Sequence, residues 1–490
     1  VSGMADSLPK MANDRHRGQE PYEQRSQTVS VDIVFSRVYP RCNHSHNEEM
    51  EMTSASTRPE ARTFRGDLDV PPGLPRGIDL GRIANKDKAI AMFGREMVEK
   101  LTDHALLADD YAYQAMLDFK DKSNTTNWRT FDLALEQGID AVEDPSPGLV
   151  ALFEQFDRIP DWVDFDQLYR GAVAFWRAGP IVPPVLAWAT IAGGFSMYSA
   201  TRPVLFSGRL QHSDRVGTRL IESFRYVVAA YTPGGMHRFD EGFRLTAKVR
   251  MIHAAVRHSL GRSEAWDWAR WGVPINNLDG MVTQAGQFGV KFIDAVQNSG
   301  IRYSDRELED IFALSRYVGY VIGVPEDILH TGYEDARRKT ELHTLIEQPP
   351  DDLCREVVHS IIKFSVENPP GDVEVLPGPV AKFMTTERRL SLAYGLLHSW
   401  IPADVMTALG AERTRWRHVL PAVRPFVSAA DRISRLLPHD DERTAFDILR
   451  TFNAAIEVPA GQKAAAVANP DEVHADITAN KGGMPRVSSS

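Results

Sequence analysis

The segment Phe243-Arg-Leu-Thr-Ala-Lys-Val-Arg-Met-Ile-His-Ala-Ala-Val-Arg257 carries the residues of this chain best suited to chemistry. Steps of four, three and four residues keep Thr246, Arg250, His253 and Arg257 on one face of a helix. A core stripe of Leu245, Val249, Ile252 and Val256 is offset by one residue, about 100° around the axis. Ala247, Met251 and Ala254 lie on the other side. A polar row between apolar or small ones is expected to face an interior. One imidazole with a guanidinium a turn to either side suits haem, whose iron takes a neutral imidazole and whose propionates take cationic partners. Ala254 and Ala255 would let a flat macrocycle approach the backbone. The same spacing also fits a buried His–Arg network or a solvated stripe, and on spacing alone these are the commoner outcomes.

A second row lies upstream, where Arg215, Arg219, Glu222 and Tyr226 again follow steps of four, three and four, with Ser223 adjacent. It reads as an ion-paired helix face. If both helices border one cavity, Glu222 becomes a proton-transfer group, its pKa raised by burial unless Arg219 or Arg215 pairs with it. A third segment, Trp266-Asp-Trp-Ala-Arg-Trp-Gly-Val-Pro-Ile-Asn-Asn277, brings large apolar area through Trp268 and Trp271. Pro274 with Asn276 or Asn277 reads as a turn and N-cap, so this segment is read as structural.

The elements that must position these residues are helical. Apolar spacing predicts helices over 86–107, 212–231, 243–260, 278–298, 305–322, 352–367, 379–399, 403–411 and 443–455, punctuated by Pro and Gly. Sustained alternation of period two is nearly absent. The expected architecture is all-α, one large helical domain over 81–460. Residues 1–80 read as a disordered extension and linker, and 461–490 as a disordered tail. The uncharged stretch from Gly179 to Thr201 contains Pro183, Pro184, Gly193 and Gly194, and is read as a buried core helix rather than a membrane span. The net charge of -10 argues against nucleic-acid binding. Two cysteines far apart, Cys42 and Cys354, argue against a zinc site or disulfide framework and fit a reducing cytoplasm. No apolar N-terminal leader is visible in the first 40 residues. Walker A, HExxH and GxSxG patterns are missing, which weakens nucleotide and hydrolase readings.

Several blocks, taken in order, resemble the rubber-oxygenase and mycophenolic-acid-oxygenase family, that of latex clearing protein. They are Ile159-Pro-Asp-Trp162, Phe175-Trp-Arg-Ala-Gly179, Ser207-Gly-Arg-Leu210, Arg219-Leu-Ile-Glu-Ser223, Pro233-Gly-Gly, Arg250-Met-Ile-His253-Ala-Ala-Val-Arg257, Trp271-Gly-Val-Pro-Ile-Asn276 and Arg316-Tyr-Val-Gly-Tyr-Val-Ile-Gly-Val-Pro-Glu-Asp327. The match covers roughly residues 150–335. The resemblance implies a globin-like helical core, a b-type haem with His253 as proximal iron ligand, and O2-dependent chemistry on apolar, often isoprenoid, substrates.

The family's Arg-x-x-Lys-Thr block aligns with Arg219, Glu222 and Ser223, so a glutamate stands where a lysine can meet the distal side of the iron. An open or water-bound sixth position is therefore expected. Arg219, Glu222 and Ser223 become the distal polar group, while Thr246, Arg250 and Arg257 join His253 on the cofactor's other side. The apolar stretch Val185–Tyr198 is a candidate wall of the substrate path. The expected substrate is a small apolar metabolite rather than an extracellular polymer. The electron donor and the oligomeric state stay open. Peroxide-driven haem chemistry and a non-catalytic haem-binding sensor or interaction protein are the alternatives.

Overall fold

A computed structural model describes residues 71, 73–121, 124–207, 213–368, 384–411, 413–436 and 440–456, without the side chains of 120–126, 205–219 and 454–456. Among these residues every regular element is helical and no strand occurs. Helices α1 (Lys86–Phe93) and α2 (Arg95–Asp103) lead into α3 (Asp110–Leu117), α4 (Asn124–Gln137), α5 (Pro147–Asp157) and α6 (Phe165–Trp176). Next come α7 (Tyr198–Ser207), α8 (Ser213–Ala230) and α9 (Glu241–Gly261). They are followed by α10 (Phe292–Asn298), α11 (Asp305–Val321), α12 (Tyr333–Ile346), α13 (Asp352–Glu367) and α14 (Thr386–Trp400). The last two are α15 (Val419–Leu436) and α16 (Asp441–Ile456).

Local chemistry explains many of the starts. Asp109, Ser146, Asp164, Asp351 and Thr385 each accept a backbone N–H from the first turn of the following helix. Ser304 and Glu307 form a reciprocal capping box at α11. Three expectations shift. The helix expected over 86–107 is broken at Gly94, whose φ of 85° ends α1 and opens α2. The helix expected over 278–298 passes through a π-helical stretch, Val282–Lys291, before α10. Packing begins ahead of residue 81: Ile78 and Leu80 are buried around a short 3-10 turn, Gly77–Asp79. The rest of the expected N-terminal extension, residues 1–70, and the expected tail 461–490 lie outside the described residues.

The uncharged stretch is also π-helical in part, over Val185–Ala192, and packs against Val282–Lys291. Val185, Leu186, Ala189 and Ile191 are buried, as expected of a core helix. No helix among the described residues is long and apolar enough to cross a membrane. Helix α11 packs against Val282–Lys291 and comes so close to α6 that a Cβ at Gly171 would stand 2.1 Å from the Asp310 carbonyl oxygen. A second, smaller core gathers Trp266, Trp268, Trp271, Tyr198, Tyr113, Ile252, Val256 and Leu260.

The hairpin of α8 and α9 sets the site. Gly242 lies against the Ala229 carbonyl, where a Cβ would come within 2.3 Å. Four residues further along α9, Thr246 meets Tyr226, three residues earlier on α8. Advancing on one helix while retreating on the other makes the pair antiparallel. Continued in that register, residues 219 and 222 come level with His253 and Arg250. The close approach at Gly242 fixes this register, so Gly242→Ala should destabilise the fold by about 1–3 kcal/mol through overpacking against backbone. Gly193→Ala, whose Cβ would sit in ordinary contact at 3.5 Å from Ile401, should unfold near the wild-type temperature. Thermal unfolding of the two variants compares them; equal midpoints would contradict the register.

Candidate active site on the α8–α9 hairpin

The four residues of the α9 row fall on two edges, with the two members of each edge seven residues apart. Arg250 and Arg257 lean toward α3, α5 and α11; Thr246 leans toward α8. Thr246 is fully buried, and its hydroxyl donates to the Gly242 carbonyl at 2.7 Å, one turn back. Beside it the Tyr226 phenol is pushed well above its ordinary pKa by burial, with hydrogen bonds from Gln284 and Thr246 opposing the shift. Gln284 donates to the Tyr226 oxygen at 3.3 Å from the π-helical stretch Val282–Lys291. Seven residues after Thr246, His253 shares its edge. His253 is half-buried, and its neighbours in sequence, Met251, Ile252, Ala254 and Ala255, are buried.

Arg250 is 2% exposed and makes a bidentate pair with Asp109, Nε to Oδ2 at 2.6 Å and Nη2 to Oδ1 at 2.8 Å. Its Nη1 donates to Gln155 Oε1 at 2.5 Å and to the Val321 carbonyl at 3.1 Å. One guanidinium thus ties α9 to the start of α3, to α5 and to the end of α11. Gly323 makes room for it: at a φ of 98°, a Cβ there would stand 2.6 Å from Asp109 Oδ2 and 2.7 Å from Arg250 Nε.

Arg257 is also buried, and it donates to three carbonyls: Ile275 at 2.9 Å, Pro274 at 3.2 Å and Asp109 at 3.4 Å. Burial lowers its pKa to about 10, with the charge of Asp109 opposing the shift. It remains a cation at neutral pH. Ile275 accepts that bond at a φ of 48°, a left-handed conformation that a β-branched residue adopts only under strain. The two guanidiniums expected to meet cofactor carboxylates are instead occupied within the protein. The physical reason is that a buried cation needs its partners in the folded state whether or not a ligand is present.

Across the hairpin, Glu222 and Ser223 are half-buried on α8. Arg219 sits on the same helix, and its side chain lies outside the described residues, as does that of Arg215. Continued from Gly242 and Thr246, the antiparallel register sets residue 219 level with His253 and residue 222 level with Arg250. The Trp266–Asn277 segment is structural, as expected. Trp266 and Trp271 stack edge to face at 5.0 Å, Trp271 donates to the Tyr198 hydroxyl at 3.0 Å, and Asn276 caps the turn at Asp279. Spacing did not reveal Asp109, Gln155 or Gly323. Asp109 was not singled out, because its ion-pair partner is 141 residues away in sequence.

Removing one member of a buried pair leaves the other charge stranded. Asp109→Leu and Arg250→Met should each lose about 3–5 kcal/mol of stability, and the two combined should recover much of that loss. Urea unfolding of the single and double variants measures this. Strictly additive losses would show that the two groups do not act as a pair.

The family model described as "ER-bound oxygenase mpaB/B'/Rubber oxygenase, catalytic domain" matches residues 176–432. The rubber oxygenase of Streptomyces sp. (strain K30) is 26% identical over 244 residues, 48% of this chain and 56% of that protein. The chain thus spans about half the length of that curated relative. The solved structure of latex clearing protein LCP in the closed state superposes with a TM-score of 0.52 at 17% identity, covering 71% of this chain and 91% of that one. At that identity the superposition shows a shared helical fold. With the matched region taking in both α8 and α9, the chain belongs to the family of mpaB-type and rubber-oxygenase catalytic domains.

Proposed function

We propose that this chain is a haem-dependent oxygenase that uses O2 on a small apolar substrate, with His253 as axial ligand of a b-type haem. The observation that carries the proposal is the placement of His253. It is a half-buried imidazole on a helix fixed by a buried ion pair, flanked by small side chains and level with a polar segment of the facing helix. Membership of an oxygenase family supports the same reading.

The donor set fits haem at the axial position. A single neutral imidazole is what haem iron takes on one face, and Ala254 and Ala255 leave the backbone approachable beside it. Arg250 and Arg257 fit less well as propionate partners, since their hydrogen bonds already serve Asp109, Gln155 and backbone carbonyls. Their role in this reading is to hold α9 so that the imidazole keeps one orientation. Thr246 contributes at the same level, placing Tyr226 and the end of α8. Haem, when bound, supplies O2 binding and the oxidising chemistry.

On the α8 side, Glu222 accepts or delivers a proton at its carboxylate, Ser223 donates a hydrogen bond through its hydroxyl, and Arg219 offers a cation. The glutamate gives this site an acid–base group where the family block carries a lysine. The buried apolar stretch Val185–Tyr198 and its π-helical neighbour would form the wall against which an apolar substrate lies. π-Helical turns recur at functional sites, which agrees with this assignment.

The test is the absorption spectrum of protein produced with ample haem. Wild type should carry a Soret band, His253→Ala should lose most of it, and added imidazole should restore part. Full haem content in His253→Ala would overturn the ligand assignment. Glu222→Gln should keep the Soret band yet slow O2 consumption with an oligomeric isoprenoid such as squalene by about 100-fold, the usual order for losing a general acid–base group. Unchanged turnover in that variant would remove Glu222 from the chemistry.

A further inference from the structure

Helix α15 is built the wrong way round for a surface helix. Such a helix ordinarily turns its apolar stripe inward and its charges out. In α15 the exposed side carries Val423, Phe426, Ile433 and Leu436, which are 40%, 77%, 58% and 84% exposed. Steps of three, seven and three keep these four on one face, and the exposed Ala422, Ala429 and Ala430 extend it. The inward side is mixed: Leu420 is buried and Val427 is half-buried beside Gly300, while polar side chains supply the directional contacts. Ser428 donates to the Gly300 carbonyl at 2.9 Å, Asp431 accepts the Arg302 N–H at 3.2 Å and faces Arg177 at 3.9 Å, and Arg435 reaches Glu307 and Asp431. Leu420 is the one fully buried apolar side chain among the described residues of this helix. The helix is thus pinned by polar contacts while its apolar face looks outward, and an exposed apolar stripe of this kind marks an interaction surface.

Charge identifies the partner. Residues 413–436 hold six arginines and one aspartate, in a chain whose net charge is -10. That aspartate is turned inward, whereas Arg413, Arg415, Arg424 and Arg432 are exposed. An isologous contact between two copies would set these arginines against one another, which disfavours a second copy of the chain. An apolar stripe on a cationic segment instead matches an anionic lipid surface, where the stripe enters the headgroup boundary and arginines meet phosphates. We propose that α15 docks the protein on an anionic bilayer surface through Phe426, Ile433, Val423 and Leu436, without spanning it. An apolar substrate dissolved in the bilayer would then be within reach of an enzyme seated on it.

The experiment is co-sedimentation of the full chain with vesicles of phosphatidylcholine alone and of phosphatidylcholine with phosphatidylglycerol. It is run at low and high salt, alongside Phe426→Ser/Ile433→Ser and Arg432→Gln. Both sets of side chains are exposed, so circular dichroism and thermal midpoints should match wild type. Wild type should pellet with the anionic vesicles and be released by salt. The double variant should bind about tenfold more weakly or worse, because two large apolar side chains no longer leave water. Arg432→Gln should weaken binding to anionic vesicles more modestly. No sedimentation of wild type with either vesicle, or equal binding by the double variant, would overturn the proposal. So would light scattering in which wild type is a dimer and the double variant a monomer, since a second copy would then be the occupant.

Discussion

The structure depends on a charge that cannot be left alone. Arg250 is almost completely enclosed, and the free energy of stranding a guanidinium there would exceed any single packing gain on α9. Asp109 resolves this with a two-pronged pair, and Gln155 and the Val321 carbonyl take up further hydrogens. Three separate helices are thereby tied to one point on α9. The requirement propagates into the sequence. Gly323 has no side chain because the pair occupies that space, and Asp109 caps α3 while serving Arg250. Arg257, two turns on, repeats the theme with backbone carbonyls and holds the strained Ile275 in place. His253 lies between these two anchors on α9, so the stretch of helix that carries it is held on either side by the arginines' hydrogen bonds.

Much of this was legible in the sequence, and the limits have physical causes. Helix extents followed from apolar periodicity and caps; α9 was expected over 243–260 and runs from Glu241 to Gly261. Of the polar row expected to face inward, Thr246, Arg250 and Arg257 are buried and His253 is half-buried, as are Leu245 and Val249 of the expected core stripe. Spacing could not say what the arginines meet. A guanidinium bound for a propionate and one bound for an aspartate look alike until a distant loop is brought into contact. The Gly94 break and the two π-helical stretches were hidden for a related reason. Periodicity tolerates one glycine, and a π turn differs from an α turn by a residue that no composition rule marks.

The same limit applies to α15. It was not among the helices that apolar spacing marked out, and periodicity would report only that two faces differ, not which one meets the protein. The inner side is decided by partners on distant elements, Arg177, Gly300 and Glu307. Family membership fits the whole arrangement, since the matched region runs from the end of α6 through the α8–α9 hairpin and most of α15. In the proposed reading, Glu222 on α8 offers a carboxylate where the resembled family block carries a lysine, and the α9 anchor is independent of that difference.

The central claim is that His253 presents one imidazole to a haem whose opposite side is not capped by a lysine. The most direct measurement is the absorption spectrum of the reduced wild-type protein before and after carbon monoxide. A Soret band that shifts on adding CO, with the form expected for CO opposite a neutral imidazole, is the predicted result. A protein that stays colourless after production with ample haem, or a haem spectrum that CO leaves unchanged, would contradict the account.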